Sequence, residues 1–372
     1  MKTARRVVKE EVFPLKNHRK FLAAVASIAA IASLTACGGV KDANTASGSA
    51  ITIGTTDKIT SVDPAGSYDN GSYAVQIQIF PFLYAQDYNT SELSPDIAAD
   101  DGTWNDDGTE FTVKIKEGLK FANGHDLTAS DVKFSYDRIK TINDANGPSS
   151  LLANVESVEA PDDTTVVFKD SVPFDVTLKQ VMSSPAGPIV DEEVFDADKL
   201  TDADTIVKGN AFAGPYKLTA FKMNETASYE KNDSYKGLTP AKNDAIQVKY
   251  FADASNLKLN VQQGQIDVAF RSLTPTDIED LSKDSKVKVV KGPGGEERFL
   301  VFNFNIQPYG TKSDEPNADK AKAVRQAVAN LIDREELATK VYKDTYTPMY
   351  SYIPDGLVGH EDTFKTAYGD GN

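Results

Sequence analysis

From Ile51 onward, apolar and polar positions switch between the period of two that marks strands and the period near 3.6 that marks helices. Ile51-Thr52-Ile53-Gly54 alternates as a strand start, and Ser61-Val62-Asp63-Pro64 reads as a turn. Residues 73–84 form an apolar segment that opens as a helix. Around Trp104 the pattern is β, with Asn105-Asp106-Asp107-Gly108 as a hairpin turn followed by the alternation Phe111, Val113, Ile115. Thr128-Ala129-Ser130-Asp131 has the form of a capping box, since the hydroxyl accepts from the third N–H while the carboxylate reaches back. Val132, Phe134, Tyr136 and Ile139 follow within that helix, and the turn Ala160-Pro161-Asp162-Asp163 leads into a strand over 164–168.

A second region begins at Gly214-Pro215-Tyr216-Lys217-Leu218, passes through Ala227-Ser228-Tyr229-Glu230, and reaches a strand over 245–251. Ala254, Leu257 and Val261 fall on one helix face, closed by Gly264 at a plausible C′ position. Residues 266–270 read as a strand, and Thr274-Pro275-Thr276-Asp277 is a helix start with an N-cap, an N1 proline and an acidic N3. Residues 299–304 read as an apolar strand. Ala321, Val324, Val328 and Leu331 line one face of a helix, and Asp333-Arg334-Glu335-Glu336-Leu337 opens another. Strands alternating with helices, with hairpins between, predict a mixed α/β protein. No internal repeat is visible.

The first 36 residues have a different character. A basic front (Lys16, Arg19, Lys20) precedes an alanine-rich apolar run over 21–36, too short for a permanent membrane helix and right for a signal peptide. Leu34-Thr35-Ala36-Cys37 resembles the lipobox of bacterial lipoproteins, which implies cleavage before Cys37 and acylation of its thiol. Arg5-Arg6 suggests twin-arginine export, but Glu10, Glu11 and Pro14 separate the pair from the apolar run, which favours ordinary secretion. Residues 37–50, small and polar after the cysteine, read as a flexible tether. Cys37 is the sole cysteine, so its acylation leaves none for a disulfide. Residues 1–36 hold seven Lys/Arg and two Asp/Glu, which leaves 33 basic and 53 acidic residues and a formal charge of −20. Such a surface argues against nucleic acid and against direct binding to anionic headgroups. Attachment to the membrane is then the work of the lipid anchor.

The order of the segments resembles the family 5 solute-binding proteins of ABC importers, the peptide- and nickel-binding group. Ile51-Thr-Ile-Gly-Thr-Thr-Asp57 with Ser61-Val-Asp-Pro64 is similar to the family's opening strand and turn. The stretch from Trp104 through Glu117-Gly-Leu-Lys-Phe-Ala-Asn-Gly124 to Leu127-Thr-Ala-Ser-Asp-Val-Lys-Phe-Ser135 resembles its signature region. Gly214-Pro-Tyr-Lys-Leu218, Gln263-Gly-Gln-Ile-Asp267, Phe302-Asn-Phe-Asn305, Arg325-Gln-Ala-Val328 and Ile332-Asp-Arg334 continue the pattern in order. The resemblance implies an α/β, periplasmic-binding-protein-like two-lobed fold of type II with the extra small domain of the peptide-binding group. Lobe I is expected over 51–82 and 200–255, the small domain over 83–199, and lobe II over 256–372. Family members are normally much longer, so the second lobe is expected to be truncated, with strand edges and apolar faces uncovered.

No enzyme's constellation is visible. Only His125 and His360 lie beyond residue 37, and there is neither a Gly-x-Ser-x-Gly elbow nor a phosphate-binding Gly-Lys-Ser/Thr loop. Asp106-Asp107 and Asp162-Asp163 sit in turns and read as solvated hairpin tips. No cofactor or metal is expected. The resemblance places peptide contacts on the loop after Pro64, which makes Tyr68, Asp69 and Asn70 candidates, with Asp69 able to meet an α-ammonium. Ser149 and Ser150 are candidates at the small-domain border of the cleft. Arg271, Asn303 and Asn305 are candidates near the interlobe crossing, where Arg271 either pairs with a ligand carboxylate or forms a surface salt bridge. The implied function is a lipid-anchored receptor on the outer face of the cytoplasmic membrane. It binds dipeptides or oligopeptides and delivers them to the transmembrane permease of an ABC importer. An oligosaccharide, a nickel chelate, or a role as sensor or adhesin are the alternatives; with Trp104 placed in the hairpin core, sugar stacking would fall to the tyrosines.

Overall fold

A strand that must pair on both sides organises the chain. Ala50–Thr55 lies between Ala245–Tyr250 and Val268–Ala269, parallel to both, and Tyr216–Lys222 and Thr226–Lys231 extend the sheet antiparallel beyond Ala245–Tyr250. In this computed structural model the described residues are 50–86, 92–292, 294–357 and 359–369. The signal-peptide, Cys37 and most of the tether expectations lie outside them.

Two parallel neighbours require a crossover, and the helix Ala254–Gln262 supplies it. Asp253 caps that helix by accepting from the Asn256 N–H at 2.8 Å, and Leu257 is its fully buried anchor. The close approach depends on Gly54. A Cβ there would stand 2.6 Å from Ile266 Cδ1 and 2.7 Å from Leu257 Cδ1, so only glycine lets the helix settle on the sheet. Val268–Ala269 joins the same sheet as Ala50–Thr55 and Ala245–Tyr250, although it lies beyond the boundary at 255 expected for lobe I.

A second, antiparallel sheet orders Thr103–Trp104, Glu110–Lys114, Thr165–Asp170 and Val155–Asp162. The hairpin turn forms with Gly108 at φ 70°, and Asn105 Oδ1 accepts from the N–H groups of Thr109 and Glu110. The helix Ala129–Ile142 packs on this sheet through Val132, Tyr136 and Ile139, with the Tyr136 ring edge-on to Phe168 at 5.0 Å. Its capping box is complete. Trp104 is half-buried and leans on Phe111 at 5.1 Å.

A buried carboxylate ties together stretches of chain that lie outside the two sheets. Asp96 accepts from the Phe82 N–H at 2.9 Å, the Leu238 N–H at 2.8 Å and the Tyr235 hydroxyl. Burial pushes its carboxyl up, against those hydrogen bonds. The donors come from two distant stretches of chain, at Phe82 and at 235–238, so Asp96 acts as a junction.

Beyond residue 284 the expectations hold for helices and fail for a strand. Ala318–Asn330 forms, but Ala321 is its only buried residue and Leu331, just past its end, is 85% exposed. Asp333 caps Arg334–Glu336 as expected. Residues 299–304 are not a strand. The apolar run is intact, but no neighbour among the described residues offers a ladder, and Phe299, Leu300, Val301 and Phe304 are exposed.

Candidate functional site

Three parallel strands end on the same side of the sheet, and their carboxyl ends carry the polar groups of the site. In open α/β sheets such ends are where ligands bind. Asp57 follows Ala50–Thr55 by two residues, and Arg271 follows Val268–Ala269 by two. The Phe270 N–H donates to Gly54 O at 2.8 Å and the Phe251 N–H to Thr55 O at 2.8 Å, so the sheet pairing continues to the point where the loops depart.

Arg271 connects the cluster. Its Nε and Nη2 donate to Asp57 Oδ2 at 3.0 and 2.9 Å, while its guanidinium lies 5.5 Å from the centre of the Phe270 ring. Its Nη1 reaches Glu296 Oε1 at 3.2 Å, and Asn70 Nδ2 donates to the same oxygen at 3.2 Å. Arg271 and Ser272 both have left-handed backbones, φ 43° and 62°, a conformation that costs about 1 kcal/mol or more for such residues. Tyr250, at the carboxyl end of the neighbouring parallel strand Ala245–Tyr250, has its hydroxyl pushed far up by burial and by the nearby Asp57 charge.

The loop after Pro64 divides its roles. Asp63 caps the short turn Pro64–Gly66, and Tyr68 projects with 54% exposure. Asp69 is the N-cap of the helix Asn70–Ile79. It accepts from the Ser72 N–H and Ser72 Oγ, each at 2.8 Å, and from the Thr60 hydroxyl. Its oxygens are therefore engaged by its own chain. Asn70 faces Glu296 instead. Gly71 in the first turn is obligatory in kind, because an added Cβ would collide with the Lys58 carbonyl.

The remaining candidates lie apart from Arg271 in their bonding. Ser149 Oγ donates to Asn143 Oδ1 at 2.6 Å, and Ser150 is exposed. Their loop abuts Pro64–Gly66, since a Cβ on Gly147 would strike the Ala65 carbonyl. Asn303 Oδ1 accepts from the Asn305 N–H at 3.0 Å, and Asn305 Oδ1 accepts from Thr311 Oγ1 at 2.6 Å. Both asparagines shape a turn. Of the eight ligand-site candidates, the structure joins Asn70 and Arg271 through a shared partner, with Tyr68 two residues from Asn70. Sequence reasoning missed Asp57 and Glu296. Asp57 sits at a strand's carboxyl end, a signal that was present; Glu296 lies in irregular chain and gave none.

Among the described residues no cluster of three or more His, Cys, Asp or Glu is arranged to hold a metal, and no helix is long and apolar enough to cross a membrane. A cavity of about 260 Å³, lined by Trp104, Phe111, Asp175, Leu178 and Lys179, lies at the four-stranded antiparallel sheet instead.

The fold and the polar cluster at the strand ends define an α/β binding-protein architecture of the periplasmic-binding-protein type. Residues 92–372 match the family model for bacterial extracellular solute-binding proteins, family 5, middle region, and the chain belongs to that family. It is 26% identical over 306 residues to the probable D,D-dipeptide-binding periplasmic protein DdpA of Escherichia coli K12, covering 81% of this chain and 56% of that one. It is 28% identical over 285 residues to the dipeptide-binding protein DppE of Bacillus subtilis 168, covering 71% of this chain and 48% of that one. Among solved structures, the ABC transporter substrate-binding protein CtaP of Listeria monocytogenes superposes with a TM-score of 0.69 at 26% identity, over 85% of this chain and 61% of CtaP. DppA of Helicobacter pylori, in complex with the peptide STSA, shares the fold at a TM-score of 0.64 and 19% identity, over 86% of this chain and 64% of DppA. The chain thus spans about half the length of the curated relatives it matches.

Proposed function

We propose that the protein is an extracytoplasmic solute receptor that binds peptides and hands them to the permease of an ABC importer. The observation that carries this reading is the Asp57–Arg271–Glu296–Asn70 cluster at the carboxyl ends of parallel strands, with Tyr68 exposed in the same loop as Asn70. A peptide offers carboxylate, amide and carbonyl groups, and a guanidinium, a primary amide and a phenol are matching partners. Ser149 and Ser150 border this region from the small domain, Asn303 and Asn305 from the chain beyond Glu296, and Asp69 holds the Tyr68–Asn70 loop in place. The chemistry is binding and release, with no bond made or broken. Names of relatives that bind dipeptides support the peptide class.

Cys37 is the proposed lipid attachment site, which puts the receptor on the outer face of the cytoplasmic membrane at the end of a flexible tether. Fatty-acid labelling that disappears in Cys37→Ser supports this; undiminished labelling overturns it. The ligand class is tested by thermal denaturation against dipeptides to pentapeptides, an oligosaccharide and a nickel chelate. A ligand at a hundred times its Kd stabilises by about 2.7 kcal/mol. Stabilisation by a peptide supports the reading, and stabilisation by sugar or chelate alone overturns it.

A further inference from the structure

The two carboxylates on Arg271 are not equivalent. Asp57 is 16% exposed at its side chain, and its single oxygen Oδ2 takes both Nε and Nη2. This is a fixed anchor, set by two adjacent strands. Glu296 is 66% exposed, makes one contact with the guanidinium at 3.2 Å, and comes from irregular chain. Exposed pairs of this kind contribute little, about 0–1 kcal/mol. The Glu296 oxygen is cradled by a guanidinium N–H and an amide N–H at equal distances, the donor set a carboxylate needs. Arg271 is held to this task by a backbone that pays in strain, with two successive residues in the left-handed region.

We propose that Arg271 and Asn70 form the carboxylate subsite of the binding cleft, and that Glu296 is its exchangeable internal occupant, displaced when the ligand's carboxylate enters. The inference rests on the solute-receptor reading above and narrows it: the ligand carries a free carboxylate, as a peptide with an unblocked C-terminus does. Exchange of one carboxylate for another leaves the charge of the subsite unchanged. Asp57 keeps the guanidinium oriented throughout, so it acts as a positioning residue. The freed Glu296 returns to water, where its charge is already largely solvated.

The test is calorimetric titration of the protein with matched ligand pairs, each a free acid and its neutral amide: di- to pentapeptides, and a uronic-acid oligosaccharide with its amide. The expected result is that the bound free acid loses at least tenfold in affinity on amidation. Arg271→Gln weakens the acid by at least tenfold and the amide much less, so that the two bind alike, and Arg271→Lys restores part of the difference. Glu296→Gln, which removes the competing charge, tightens the acid severalfold and the amide by less. Circular dichroism melts confirm that each variant is folded, and Glu296→Gln, an exposed change, serves where an Arg271 variant fails to fold. Acid and amide binding equally overturns the subsite while the receptor reading stands. Binding by no member of the panel overturns both.

Discussion

Arg138 and Asp63, 75 positions apart, form a fully buried bidentate pair, with Nη1 and Nη2 on Oδ1 and Oδ2 at 2.7 and 2.9 Å. Asp63 also accepts from the N–H groups of Ala65 at 3.0 Å and Thr201 at 2.8 Å. Arg138 in turn donates Nε to Asp196 O and Nη2 to Lys199 O, at 2.9 and 3.1 Å, and lies 5.4 Å from the centre of the Phe195 ring. Every charge is compensated. The pair locks the turn that leads to Tyr68 and Asn70 against the helix Ala129–Ile142. Removing one partner strands the other in a dry interior, which costs about 3–5 kcal/mol. Arg138→Met is therefore expected to lower unfolding free energy by about that amount in urea titration. The double variant with Asp63→Asn should recover part of it, and a cycle with no coupling between the two sites would contradict the claim.

Asp131 gives the fold a pH dependence of known sign. Burial raises its carboxyl to about 6, opposed by the Thr128 and Glu192 N–H groups and aided by the charges of Glu192 and Asp191. The folded state therefore holds this proton more tightly than the unfolded chain, whose aspartates titrate near 4 (roughly). The contribution is fully present below about pH 4 and is lost as pH rises through about 6, a span worth ~3 kcal/mol. Asp131→Asn should abolish this component, so the stability of wild type relative to the variant should fall as pH rises from 4 to 7. Asp96, also raised by burial, contributes with the same sign in both proteins and drops out of the difference. A difference that stays flat across the range would rule out the assignment.

Asp69 separates capping from recognition. As N-cap of Asn70–Ile79 it accepts from Ser72 twice, so Asp69→Ala should cost about 1 kcal/mol and Asp69→Asn only a fraction of that. Chemical denaturation measures both. If Asp69→Asn is as stable as wild type but no longer binds ligand, the carboxylate acts on the ligand and not only on the helix.

Local signals made most of the elements before residue 284 legible. The Thr128–Asp131 and Thr274–Asp277 capping boxes, the Asn105–Gly108 turn and the alternation at Phe111, Val113 and Ile115 each specify their element within a few residues, and all formed. Pairings between distant segments were less legible. Nothing local to Val268 says that it pairs with Ile53, because that contact exists only once the crossover helix has settled on Gly54. The site followed the same division. Arg271 and Asn70 were visible as chemistry after a strand and beside a turn, whereas Glu296 reaches them from a segment with no periodicity. Asp69 was read as ligand-facing from its chemistry, and its hydrogen bonds show a cap.

The segment over 299–306 tests what an unpaired strand sequence does. Phe299, Leu300, Val301, Phe304 and Ile306 are each more than 60% exposed, and Val290 nearby is 78% exposed. A contiguous apolar strip with strand-forming residues is both a dye-binding surface and a template for intermolecular pairing. The 372-residue chain should therefore bind an environment-sensitive naphthalene sulfonate dye in its folded state and self-associate as concentration rises. Phe299→Ser combined with Val301→Ser should reduce both effects severalfold. Because these side chains make little contact with the core, unfolding free energy should change by no more than about 0.5 kcal/mol. Dye fluorescence, sedimentation velocity and urea titration on the same samples read the three quantities. A large drop in stability would mean that the strip is packed in solution and that 299–304 pairs after all.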